Sequence, residues 1–212
     1  RSDTVFRIGA GIDGNIPISR QNVLFNARVE QREYDRFDLL DHTAYRLGGA
    51  WNWTVGNDWN GDLGYQRDHY LSSLADIQRA VKDMITTDHV FGNAGYRIDA
   101  RWRVRGGVDL WRYEHSDASQ VGLDNRTQSY VVGADYVTPA NNSVGIQFRY
   151  TQGNYPTIGA VGLDNDYKEY ETSAVARWVV TGKSTFTGRL GYTKREHEQV
   201  PQRDFGGVTG RL

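Results

Sequence analysis

Two neighbouring stretches decide the fold class: Tyr45-Arg46-Leu47-Gly48-Gly49-Ala50-Trp51-Asn52-Trp53-Thr54-Val55 and Trp59-Asn60-Gly61-Asp62-Leu63-Gly64-Tyr65-Gln66. In the first, Tyr45, Leu47, Gly49, Trp51, Trp53 and Val55 share one face. Arg46, Gly48, Ala50, Asn52 and Thr54 share the other. The second repeats the pattern, with Trp59, Gly61, Leu63 and Tyr65 against Asn60, Asp62, Gly64 and Gln66. Strict alternation is the period of a β-strand, and the intervening Gly56-Asn57-Asp58 is hairpin-turn chemistry.

Working outward, the same period predicts ten strands, at 5–13, 21–35, 43–55, 59–69, 89–99, 101–114, 127–138, 143–154, 167–181 and 185–198. An eleventh begins near Phe205. The apolar faces of the ten comprise 45 positions without a charge, where the 24% charged content of the chain predicts about eleven. The opposite faces hold Arg28, Glu30, Arg32, Asp62, Arg103, Arg105, Asp109, Asp135, Arg149, Glu171, Arg177 and Arg189. All four prolines (Pro17, Pro139, Pro156, Pro201) are expected between strands, because proline cannot donate to a ladder.

Composition agrees. The 212 residues include 24 Gly, 13 Tyr, 7 Phe and 6 Trp, against 4 Pro and 1 Met. No apolar run is long enough for a helical membrane span. Cys is absent, which excludes disulfide scaffolds and thiolate metal sites. Lys plus Arg (25) balances Asp plus Glu (26), so no basic excess points to nucleic acid.

The predicted connections alternate between short (14–20, 56–58, a bend near Ala100, 139–142, 182–184) and long (36–42, 70–88, 115–126, 155–166, 199–204). Outer-membrane barrels alternate in this way, with short periplasmic turns and longer outside loops. On this basis the fold class is all-β: an antiparallel transmembrane β-barrel of the outer membrane, present as about ten to eleven strands of a larger one. Residues 1–212 form one barrel domain, expected to be truncated at both ends, since strand 5–13 runs downward into a short turn and 210–212 stop early in a strand. Strand 5–13 is not expected to pair with the last one. Segment 71–85 carries Leu71, Leu74, Ile77, Val81 and Met84 near helical spacing, which fits either a loop helix or the extended ends of two strands.

The outward aromatics sort by height. Trp53, Trp59, Trp102, Tyr136, Trp178 and Phe186 lie near the short turns; Tyr45, Tyr65, Tyr130, Tyr150, Tyr170 and Tyr192 lie near the long loops. Six to eight residues separate the sets, roughly 15–20 Å along the membrane normal at a strand tilt of about 40°. Two such belts fit the two interfaces of a thin bilayer. A soluble sandwich also alternates, but it does not call for belts at both ends or an Arg-rich second face.

No catalytic constellation stands out, and no cofactor or metal is expected. The five histidines lie at or near strand ends without metal-binding spacing. Asp164-Asn165-Asp166 with Glu169 fits a Ca²⁺ loop or, more simply, a solvated turn. The lumen-facing candidates are Arg28, Arg32, Arg103, Arg105, Asp109, Trp111, Tyr113, Arg149, Arg177, Arg189 and Arg195. They read either as a hydrated wall with paired charges or as a conduit for an anionic or polyhydroxylated chain. Arg would grip carboxylates, and Trp111 and Tyr113 would offer ring faces to sugars.

Several stretches resemble the EpsL-type outer-membrane proteins of exopolysaccharide operons, a β-barrel porin group. They are Tyr34-Asp35-Arg36-Phe37-Asp38-Leu39-Leu40-Asp41-His42, Gly49-Ala50-Trp51-Asn52-Trp53, Asp135-Tyr136-Val137-Thr138-Pro139-Ala140-Asn141-Asn142, Val180-Thr181-Gly182-Lys183-Ser184 and Gly191-Tyr192-Thr193-Lys194-Arg195-Glu196-His197. The resemblance runs from about Asn26 to Leu212, and segment 71–85 departs from its pattern. It implies a bacterial outer-membrane barrel that helps exopolysaccharide across. The implied partners are membrane lipid, the polysaccharide and periplasmic export-machinery proteins. It carries over no catalytic motif, so a non-enzymatic role is expected. A general diffusion porin and a surface scaffold or adhesin are the alternatives.

Overall fold

The computed structural model describes residues 3–73, 81–157, 165–181 and 184–212. They form one antiparallel sheet: β1 (Val5–Ile18), β2 (Gln21–Tyr34), β3 (His42–Val55), β4 (Trp59–Leu71), β5 (Met84–Arg97), β6 (Trp102–His115), β7 (Asn125–Val137), β8 (Ser143–Asn154), β9 (Tyr167–Thr181), β10 (Ser184–His197) and β11 (Phe205–Arg211). Each strand pairs with its sequence neighbours, so the order runs from β1 to β11 with these two at the edges, unpaired with each other.

The register shows strand tilt. One row of cross-strand partners runs Ile16, Val23, Trp51, Leu63, Gly92, Val108, Tyr130, Tyr150, Tyr170, Lys194, Gly206. It starts beside the short turn after β1 and ends beside the long loop before β11. A register that slides steadily along the strands is the stagger that tilted barrel strands require. The row stays on one face, because partners in register point the same way.

That face is apolar and uncovered. Phe6, Ile8, Ile12, Leu63, Val132, Ile146, Trp178 and Leu190 are all exposed on it. The buried apolar residues among those described are Leu40, Met84, Ile85 and Val200, all at the long-loop end. A soluble sandwich would bury the aromatics and aliphatics of one face; here that face is left for a non-aqueous environment. The architecture is a transmembrane-type antiparallel β-barrel wall. No helix among the described residues is long and apolar enough to cross a membrane.

The belts take shape on this face. Near the short turns Trp59 meets Tyr96 at 4.6 Å between ring centroids, and Trp102 meets Tyr136 edge-on at 5.4 Å. Near the loops Tyr130, Tyr150 and Tyr170 run in a file, 6.5 and 5.2 Å apart.

Two boundaries differ from the sequence-based expectations. β1 continues through Pro17 to a two-residue turn, so Pro17 lies inside a strand, opposite Asn22. It is tolerated because β1 is an edge strand, where a missing N–H on the open side removes no ladder bond. Second, the 70–88 connection is shorter than expected: β4 and β5 pair up to Leu71 opposite Met84. The extended-strand reading therefore holds at both ends of segment 71–85, whose residues 74–80 lie outside the described set. Among the described residues, those at positive φ outside glycine are the turn residues Ser19 and Asn141, while Gly56 takes this conformation in the β3–β4 turn.

The long loops share a device. Asp38–Leu40, Val121–Leu123 and Pro201–Arg203 each form one 3-10 turn, and each is followed by an aspartate. Asp41 accepts the N–H of Tyr34 at 2.7 Å, Asp124 that of His115 at 2.7 Å, and Asp204 that of His197 at 2.8 Å. Each carboxylate ties the end of the ascending strand to the start of the descending one. The sequence Val-Gly-Leu-Asp-Asn occurs twice in the chain: at 121–125 it marks one of these loops, and most of its second copy, 161–165, lies outside the described residues.

Candidate functional site

The inner face is polar, and its charges are layered. Asp135 is 3% exposed and sits between Arg103 Nη2 at 2.9 Å and Arg105 Nε at 3.0 Å. Arg105 Nη1 also donates to Gln147 Oε1 at 2.8 Å. Glu171, 6% exposed, lies opposite Arg149 in register and 3.3 Å from Arg189 Nε. That last contact satisfies the ion-pair distance but not hydrogen-bond alignment, so it is electrostatic in character. Arg195 pairs with Glu169 at 2.7 Å and lays its guanidinium over the Tyr167 ring. On the β1–β4 side Arg28 faces Asp13 at 3.4 Å, Arg32 pairs with Glu30, and Arg46 pairs with Asp68.

These contacts assign Arg103, Arg105, Arg189 and Arg195 to wall structure as well as to lumen lining. In a fully hydrated lumen, charge reversal costs little. The burial of Asp135 and Glu171 changes that here: a buried carboxylate that loses its partner is penalised by roughly 3–5 kcal/mol. Arg177 departs in another way. It donates to the backbone carbonyl of Asn141 at 3.1 Å and so reaches down to the short turn.

A second region lies on β4–β6. Trp111, 45% exposed, stacks on His89 with ring centroids 3.7 Å apart and planes 8° from parallel. His89 Nε2 is 3.1 Å from Asp109 Oδ1. Phe91 points inward beside them, and a Cβ added to Gly64 would meet its ring at 2.3 Å. In the same way Asn93 lies over Gly107. Inner glycines thus let neighbouring side chains lie flat against the wall instead of filling the lumen. Tyr113 sits higher on β6, edge-on to His115 near the loops.

Sequence reasoning selected Trp111 and Asp109 but missed His89, Phe91 and Arg97. Alternation alone would have placed all three inward, since each is offset by one from the apolar positions of its strand. The Asp164–Asp166 loop offers little to a cation. Asp164 lies outside the described residues, Asp166 accepts from Tyr155 N at 2.6 Å and Asn154 Nδ2 at 2.9 Å, and Glu169 is paired with Arg195.

No family model matches the chain, and no curated protein matches it. Among solved structures the chain is similar to the β-domain of the Bordetella autotransporter Brka, at 14% identity and a TM-score of 0.36, over 98% of this chain and 87% of that one.

Proposed function

We propose that this chain is an outer-membrane barrel wall that passes a polysaccharide. The carrying observation is the Trp111–His89 stack, a broad aromatic face exposed on an otherwise polar, hydrated inner wall. Lipid does not account for it, since the lipid-facing residues lie on the opposite face. A sugar ring does, because its C–H face stacks on an indole while its hydroxyls reach flanking groups such as Asp109. The flat-lying side chains over inner glycines keep the passage wide. The resemblance to EpsL-type proteins supports the same reading, with lipid, polysaccharide and periplasmic export-machinery proteins as partners. The wall performs no chemistry on the chain it passes.

A second reading is a diffusion porin for small solutes. It is favoured by the pairing of Arg28, Arg32, Arg103, Arg105, Arg189 and Arg195 with carboxylates, which any water-filled barrel needs. The readings separate on two measurements. Trp111→Ala should lower secreted polysaccharide several-fold, normalised to barrel protein in the outer membrane, since one aromatic face contributes on the order of 1 kcal/mol. Single channels of the parental protein should conduct little at rest. Unchanged secretion together with steady, open conductance would assign the barrel to small solutes.

A further inference from the structure

At the short-turn end of the inner face a cavity of about 560 Å³ is lined by Arg20, Arg97, Arg101 and Arg103, with Asn57 and Asn60 among the neutral groups. Its volume falls within the range of about 300–1,000 Å³ common to small-molecule sites. The acids in the lining are Asp58 and Asp99. Asp99 is already engaged: its Oδ1 accepts the N–H of Arg101 at 2.7 Å and of Trp102 at 2.8 Å, which hold its carboxyl below the usual range.

The arginines are under-compensated. Arg97 and Arg103 face each other directly across β5 and β6. Like charges in that position destabilise a sheet unless something neutralises them. Arg103 reaches up to Asp135, but Arg97 has no carboxylate within ion-pair distance among the described residues. Arg20 has Asn57 Oδ1 at 3.5 Å as its side-chain partner, and Arg101 donates to Tyr136 Oη at 3.4 Å and feels the Asp99 charge without forming an ion pair with it. A second cavity of about 220 Å³ shares Asn60 and Arg103 with the first and extends to Asn93, Arg105 and Asp62, whose carboxylate accepts from Asn93 Nδ2 at 3.0 Å.

We propose that this mouth is a binding site for acidic sugar residues, and hence that the transported polysaccharide carries carboxylates. The proposal rests on the polysaccharide reading above and adds its charge. The planar guanidinium forks of Arg97 and Arg101 match a carboxylate. Asn57, Asn60 and Thr54 supply partners for ring hydroxyls, which a simple anion would leave unused. Continuity with the second cavity suits an extended chain over a compact ion.

The test is calorimetric titration of the purified full-length protein with trigalacturonate, maltotriose and inorganic phosphate at matched ionic strength. Trigalacturonate should bind at least roughly tenfold more tightly than either comparator, and Arg97→Gln/Arg101→Gln should weaken it by roughly tenfold or more, as expected for lost charge-assisted bonds. Arg112→Gln, on the outer face, should leave binding unchanged. Equal affinity for maltotriose would overturn the acidic-sugar site and leave the polysaccharide reading standing. Equal affinity for phosphate would reduce the site to a general anion cradle and overturn the proposal. Parental affinity in the double variant would also overturn it, and its unfolding midpoint would confirm that the comparison was made on folded protein. If neither sugar binds and Trp111→Ala secretes normally, both readings fall.

Discussion

Two arginine-rich regions of the same inner face behave differently. On β6–β10 Arg103, Arg105, Arg189 and Arg195 each meet a carboxylate, and the two central acids, Asp135 and Glu171, are almost fully covered. At the short-turn mouth Arg20, Arg97 and Arg101 line a cavity and have no ion pair among the described residues. Arg103 joins the two regions. The difference teaches that a count of lumenal arginines says little about transport. Paired ones hold strands together, and only the spare ones are open to the acidic-sugar binding proposed above.

The comparison can be broken at its strong side first. Arg103→Glu/Arg105→Glu strands the covered Asp135 between two new carboxylates, and should destabilise the barrel by about 3–5 kcal/mol or more. Urea unfolding of the protein in lipid vesicles measures this, and a loss below about 1 kcal/mol would mean Asp135 is not held by that pair. Val132→Arg, between the Tyr136 and Tyr130 belts, sets the scale for the lipid face at about 2–4 kcal/mol, read as the folded fraction recovered in the membrane. Asp204→Ala removes the acceptor for His197 N–H and should cost about 1 kcal/mol in the same unfolding assay. Arg97→Gln/Arg101→Gln should sit at the bottom of the series, within about 0.5 kcal/mol of the parent, because no partner is orphaned. A large loss there would erase the distinction between wall and mouth.

Much of this was legible in alternation alone. Period two placed Trp53, Leu63, Val108 and Trp178 on the lipid face and Arg103, Arg105 and Arg189 inside, because strand side chains must alternate. Which arginine meets which acid was not legible. Arg105 reaches Asp135 and Gln147 on two further strands, and that depends on a register slid by strand tilt, which no local pattern records. Pro17 misled because its rule depends on whether the strand is at an edge. His89 and Arg97 have inward parity, but they lie eight residues apart on a face otherwise made of residues such as Thr87, Phe91, Asn93 and Gly95, so β5 lacks the charge run that marks the inner face of β6.

The 3-10 turn and its aspartate recur in three loops, each closing onto the strand it follows. Every such hairpin carries its own alignment, independent of its neighbours. A gene encoding this wall can therefore gain or lose whole hairpins by duplication or deletion without disturbing the others. The width of the wall can then change in steps of two strands.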